Sequence, residues 1–504
     1  MELQKPSLSI IFTSFLFVLF LLQVVKRSKR NNNSTSNLPP GPWKLPLMGN
    51  LHQLATSLPH HAMRDLAKKH GPLMSLQLGE VLTIVVSSPQ MAKEVMKTHD
   101  VTFATRPPLM VTRIMSYDST NLIFAPYGPY WRELRRICVT ELLSQKRVLS
   151  FRTIRQEEVS NLITSIALNA GSPVNLTQKL YSLAFVKISR VAFGKRFVGQ
   201  ESLISIMRET MKVAGGFNAA DLFPSVEWLH SISGVRSKLE KFHKEVDKIL
   251  ENIINEHKTR KATEKGREED DLVDALLEYH ERGPNDFSLT IDNIKAVILD
   301  IFAAGSDTAA TTVDWAMSEL MKNPKIMKKA QHEVRQVFDA RGDVDETGLE
   351  ELKYLNLVIK ETLRLHPPVP LLLPRVCGER CEINGYDIPE KAKVMVNAWA
   401  IGRDPSLWSD AESFIPERFA DSSIDYKGNN FEYIPFGAGR RMCPGMNYGL
   451  ANVEFELSQL LFHFDWKLPG GMKQVEMDMT EEFGITVGRK EDLIVIPVPY
   501  KSCT

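Results

Sequence analysis

The chain has 504 residues, 43% of them apolar and 24% charged. That is the balance of an ordinary well-packed protein, and length alone does not choose between one large domain and several small ones. Its 62 basic and 61 acidic side chains leave a formal charge of +1, which gives no electrostatic ground for nucleic-acid binding, and five cysteines make no disulfide framework and fit a reducing compartment.

Leu8 to Val25 is almost wholly apolar. As a helix it reaches about 27 Å, enough for a thin bilayer such as that of the endoplasmic reticulum. Lys26, Arg27, Lys29 and Arg30 follow at once, whereas the other flank has only Lys5 against Glu2. The positive-inside rule then leaves the rest of the chain in the cytosol. No small-x-small cleavage site follows, so residues 1–30 read as an anchor with its basic flank rather than a signal peptide. Residues 31–42, polar and then rich in proline, read as a stiff linker.

From residue 43 to 504 no repeat or second linker interrupts the pattern, which predicts one large, mainly α domain with small β-sheets. Leu73 to Ser88 alternates around Gly79-Glu80 and predicts a hairpin. Trp131 and Arg135, four apart, share a helix face, where an indole N–H beside a guanidinium suits a carboxylate. Lys258 to Asp271 predicts a solvated loop. Thr290 opens a helical pattern that Asn323-Pro324 stops near Lys322, a rod of roughly 45 to 50 Å. In its middle, Ala303-Ala304-Gly305-Ser306-Asp307-Thr308 is poor material for a buried helix, and such local rule-breaking is expected where function overrides stability. Glu361 and Arg364, three apart, can pair on a helix that Pro367-Pro368 ends.

The run Pro435 to Gly445 carries the chemistry. It sets a soft thiolate, Cys443, on a glycine-loosened loop after Arg440 and Arg441, with a helix starting near Asn447. Such a thiolate suits axial ligation of a haem iron and favours O–O cleavage there. The arginines face the two propionates, the glycines let the backbone pass close to the macrocycle, and backbone N–H groups with the helix dipole hold the cysteine ionised. Gly437-Ala438-Gly439 opens like a dinucleotide fingerprint, but Met442 stands where the third glycine belongs.

Phe436, Gly439, Arg441, Cys443 and Gly445 stand at the F-x-x-G-x-R-x-C-x-G spacing, and the chain resembles the cytochromes P450 from end to end. Within that family it resembles the plant microsomal, CYP71-type group that hydroxylates terpenoids and alkaloids. The resemblance implies a P450 fold behind the anchor and haem b bound to Cys443. It makes Trp131, Arg135, Arg375 and Arg441 propionate partners, with Phe436 against the cofactor. The 303–308 segment matches the oxygen-activation motif: Ala304 and Gly305 leave room above the iron, a local widening of the helix opens a groove, Thr308 bonds the oxygen being activated or its water, and Asp307 relays protons. Ala309 departs from the hydroxyl often found next.

By the same resemblance Arg418 completes a structural network with Glu361 and Arg364. Val369 and Leu373 line the substrate cavity, Phe483 and Ile485 form a further wall, and the segment from Phe103 to Ile123 is a mobile lid. Lacking a flavin or nicotinamide motif, the chain needs electrons from NADPH through the cytochrome P450 reductase, with cytochrome b5 as an optional second donor. The function implied is insertion of one oxygen atom from O2 into a C–H bond of an apolar plant metabolite, a terpenoid first. Hydroxylation of an alkaloid or phenolic, a reductase-independent isomerase or dehydratase, and a non-enzymatic haem sensor or membrane scaffold are the alternatives.

Overall fold

The computed structural model describes residues 37–500 apart from 196, 198–199, 216, 227–233, 264–270 and 283–287. The expected anchor and the polar stretch after it lie outside the described residues. The proline-rich segment is attached to the domain. Carbonyls of Pro39 and Pro40 accept from Oγ and N of Ser75 at 2.7 and 2.8 Å, and a Cβ on Gly41 would stand 2.1 Å from the Ser75 carbonyl oxygen. Asn37 Nδ2 donates to the Gly385 carbonyl at 2.8 Å, so this residue too is held against the domain.

Helix α1 (Pro59–His70) leads into the predicted hairpin, β1 (Leu73–Leu78) and β2 (Val81–Val86), paired with Leu73 opposite Val86. Gly79 takes φ +60° in the turn, which glycine tolerates without strain. Leu73, Ile84 and Val86 pack into one apolar cluster and Met74, Leu76, Leu78 and Val85 into another, so the hairpin is covered on both faces.

The helices that frame the site are α2 (Pro129–Ile137), α3 (Leu176–Phe193), α4 (Gln200–Val213), α5 (Val235–Thr263), α6 (Ile291–Lys322) and α7 (Lys353–Leu365). Strands β3 (Arg375–Val376) and β4 (Lys393–Val396) join the hairpin in the order β1-β2-β4-β3, with β2 and β4 parallel. Helix α8 (Met446–His463) follows the cysteine loop, and β5 (Glu481–Glu482) pairs with β6 (Gly488–Arg489) near the end.

The stretch expected as a solvated loop is helical as far as Thr263. Arg260 and Lys261 in the last turn of α5 complement the helix dipole, and Asp271 is buried, accepting from His257 Nε2 at 2.8 Å.

Helix α6 is the axis of the domain. Thr290 and Asn293 cap it reciprocally, and it ends at Asn323 before Pro324. Among the described residues it is the one helix long and apolar enough to cross a bilayer, but it is buried in the protein and packs along α3 and α8. Its first half, with Val297, Ile298 and Phe302, belongs to one apolar cluster, and its second half, with Ala310, Val313 and Met317, to another. Residues 304–308 lie at the junction, where the core gives way to a cavity.

Candidate active site

The loop before α8 is closed by a bond from Cys443 N to the Phe436 carbonyl at 3.0 Å. Gly437 and Gly439 take φ +70° and +69°. A Cβ on Gly439 would lie 2.1 Å from the Met96 carbonyl oxygen, so this glycine serves a close passage of backbone past backbone. Gly437 and Gly445 line the cavity and have almost nothing within 4 Å of a Cβ, which leaves flat open space beside Cys443. The thiol is enclosed by protein yet open to the cavity. Burial pushes it up from its ordinary value, opposed by the Gly445 N–H and by Arg135.

Four guanidiniums border this cavity of about 270 Å³: Arg106, Arg135, Arg375 and Arg441. All but Arg135 are buried. Asp100, 3.5 Å from Arg375, is the one carboxylate among their charged neighbours in the described residues. Burial first, and then mutual repulsion, holds Arg441 down to about 9 and Arg106 well below its usual range; burial brings Arg375 to about 10. Their N–H groups are occupied by carbonyls: Met442 for Arg135 (2.7 Å), Ala438 for Arg375 (3.0 Å), and Ala104 (2.6 Å), Leu122 and Ala125 for Arg441. Their charge remains without a matching anion.

Trp131 does not offer its N–H to the cavity. The buried indole needs an acceptor and donates to the Leu122 carbonyl at 2.9 Å, while its face carries the Arg441 guanidinium at 4.0 Å.

On α6, Ala304, Gly305 and Thr308 border the cavity. The expected widening is absent: the helix is unbroken, and Ser306, Thr308 and Thr312 hydroxyls each donate to the carbonyl four residues back, at 2.8 Å. Thr308 has therefore spent its proton on Ala304 and faces the cavity as an acceptor. Gly305 answers a packing demand, since a Cβ there would lie 3.0 Å from Ile188 Cδ1. Asp307 is not on the cavity wall. It is bonded by the Thr486 side chain, and burial raises its carboxyl despite that bond and despite Arg208 on α4.

Val369, Leu373 and Phe436 line the cavity, with Leu372 between the first two at φ +49°, a strained value for a side chain of that shape. Phe483 and Ile485 stand away from that wall. The Phe483 ring packs edge-on against Phe217, centroids 5.8 Å apart, and Ile485 joins the apolar cluster around α6.

A family model described as Cytochrome P450 matches residues 39–496. The chain belongs to the cytochrome P450 family. It is 57% identical to "Cytochrome P450 71D11" of Lotus japonicus over 94% of this chain and 98% of that one. It is 53% identical to the premnaspirodiene oxygenase of Hyoscyamus muticus over 97% of each. A zebra fish cytochrome P450 solved with progesterone has the same fold, with TM-score 0.76 and 26% identity over 88% of this chain and 100% of that one. The chain is thus a plant-type P450 monooxygenase, an oxidoreductase that uses haem b and takes electrons from NADPH through a redox partner. The residues present fit that cofactor: a thiol open to the cavity, glycines that clear space beside it, and guanidiniums lacking an anion.

Two wall residues of this P450 went unread in the sequence. Arg106 donates to the carbonyls of Leu373 and Pro374 at 2.6 and 2.9 Å. Asp300, one turn before Ala304 on α6, accepts from Asn121 Nδ2 at 2.5 Å and from Ile123 N at 2.9 Å. With Arg441 on Ala104 and Ala125, they strap the Phe103–Ile123 segment to the domain, so the expected lid is fastened at both ends.

Burial raises the Asp300 carboxyl to about 7. Between roughly pH 4 and 7 the native state then holds a proton that the unfolded state has lost, so stability falls as pH rises across that window, by up to about 1.4 kcal/mol per unit. Asp300→Asn is expected to remove that slope, read as the difference between the two proteins' melting temperatures against pH. A parallel pair of curves would show that the carboxylate is charged throughout.

Glu361, Arg364 and Arg418 come together in this P450. Glu361 takes Arg364 at 2.7 and 2.8 Å and Arg418 at 2.9 Å, and the arginines continue to the carbonyls of Gly402, Ala411, Ser413 and Ser409. The network clamps the segment that leads toward the cysteine loop onto α7.

Proposed function

We propose that Cys443 holds the haem iron through its thiolate, and that Arg135, Arg375 and Arg441, with the charge of Arg106 behind them, receive the two propionates. One observation supports this most: the Cys443 thiol opens into the same cavity as four guanidiniums, three of which have Asp100 as their carboxylate neighbour. Bound there, the haem supplies oxygen binding and the oxidising step.

The chain's own residues position, exclude and deliver. Thr308 Oγ1, its proton committed to the Ala304 carbonyl, accepts a hydrogen bond from a water at the site and holds that proton in place. Asp307, with a carboxyl raised by burial, takes protons from the outer side of α6 and hands them inward past Thr308. The walls formed by Val369, Leu372, Leu373 and Ile301 keep bulk water out.

Arg106 and Asp300 on these walls are already committed to backbone and Asn121 partners, so apart from Thr308 the surface left for a substrate is mostly hydrocarbon. Together with the name of the premnaspirodiene oxygenase, this favours a terpenoid, hydroxylated at one carbon. The electron source is the NADPH–cytochrome P450 reductase, with cytochrome b5 as an optional second donor. The site of action is the cytosolic face of the endoplasmic reticulum membrane, held by residues 1–30.

Thr308→Ala is expected to keep its haem, consume NADPH and release hydrogen peroxide, with product per NADPH falling several-fold. Unchanged product per NADPH would rule out the role given to Thr308. The substrate class is tested by titrating terpenoids and alkaloids into the purified protein and following the haem spectrum. A shift with alkaloids alone reverses the terpenoid assignment.

A further inference from the structure

His60 and His61 are consecutive residues in the first turn of α1, where neighbours in sequence point about 100° apart around the axis. Both nevertheless aim Nε2 at one atom, Oε2 of Glu481 in β5, at 2.8 Å each. The rings meet edge to face with centroids 4.4 Å apart. Trp399 stacks on His61 at 4.2 Å and meets His60 edge-on at 5.0 Å, and Asn397 Nδ2 donates to the His60 carbonyl at 2.8 Å. Packing therefore fixes both imidazoles. The His60 and Glu481 side chains are 1% and 8% exposed, while His61, at 32%, opens the group to solvent.

Two imidazoles and a carboxylate with one open direction make the donor set of an open zinc site, and imidazole also suits copper and nickel. Tetrahedral bonds of about 2.0–2.1 Å to nitrogen and oxygen place ligand atoms about 3.3 Å apart. An outward shift of about half an ångström at each 2.8 Å contact is all that an ion needs. The indole that covers His61 also carries a buried N–H with no acceptor, a spare donor in the group. Arg403, whose guanidinium lies 4.4 Å from the Trp399 ring, works against a cation, but its Nε is tied to Glu412 at 3.0 Å, which offsets its charge.

We propose that His60, His61 and Glu481 bind one divalent transition ion of the zinc class, which braces α1 against the β5–β6 pair. The brace reaches the reaction machinery through the chain. Glu481 pairs with Arg489, Arg489 donates to Ser318 on α6, and the turn between the strands carries Thr486, the partner of Asp307.

The test uses the full-length, untagged, haem-loaded protein in detergent, freed of metal with a chelator and titrated with Zn²⁺ by calorimetry, with Zn K-edge absorption on the loaded sample. One zinc per chain, imidazole in its coordination shell and a melting temperature that rises with Zn²⁺ are expected. His61→Ala and Glu481→Gln each weaken binding at least about tenfold, whereas Glu482→Gln, at the exposed neighbour, leaves it unchanged. The reduced, carbon-monoxide-treated spectrum monitors folding in every variant, and if Glu481→Gln does not fold, the partly exposed His61 decides. Equal affinity in parent and His61→Ala, or an edge spectrum without imidazole, overturns the proposal and leaves the cluster a hydrogen-bonded clamp.

Discussion

Cys443→Ala is expected to give a folded protein that lacks the red-shifted absorption of the reduced, carbon-monoxide-treated form, carries little haem and makes no product above background. The substitution keeps the backbone bond from residue 443 to the Phe436 carbonyl and the conformation of the loop. It removes the acceptor for the Gly445 N–H, a loss of about 1 kcal/mol and too small to unfold the domain. What it deletes is the thiol that lines the cavity. Circular dichroism matching the parent, together with the missing absorption, separates loss of ligation from loss of fold. A normal absorption band in the variant would show that another residue holds the iron.

Glu361→Gln carries the largest expected cost in stability. Glu361 and Arg364 are wholly buried, and the carboxylate also takes Arg418 Nε and the Ile415 N–H at 2.9 and 2.8 Å. An amide there faces a guanidinium with an N–H₂ group and leaves a buried cation without its counter-charge, a change worth about 3–5 kcal/mol. The effect spreads, because Arg364 and Arg418 hold carbonyls along residues 402–413. A steep fall in melting temperature and poor haem retention are expected. Removing the whole network with apolar residues costs less than removing one partner, since no charge is then stranded. A loss under about 1 kcal/mol in Glu361→Gln would mean that water reaches the pair.

Much of this architecture was readable because local chemistry and global demand coincide. Thr290 and Asn323-Pro324 mark the ends of α6 in both sequence and structure, Gly79 marks the hairpin turn, and the Cys443 loop carries its own spacing. The rest was hidden where a residue's partner lies outside its own helix or strand. Trp131 seemed free to meet a carboxylate, yet Leu122 claims its N–H. Gly305 borders the cavity, and Ile188 on α3 adds a packing demand that no local pattern shows. Phe483 and Ile485 were placed by their order relative to the motifs, and order does not say which way a short turn faces. Arg106 stands alone before a proline with no periodic signal. Asp300 did leave one, an acid inside the apolar run Val297–Phe302, which a search for isolated buried charges would have found.

The guanidiniums also bear on how the cavity is covered. Arg106 lies on the strap, residues 104 to 125, that closes over the cavity, and Arg441, which repels it, also donates to the carbonyls of Ala104 and Ala125 and so holds the strap in place. One side chain therefore serves both this cover and the propionate site proposed above, so the two cannot be altered independently there.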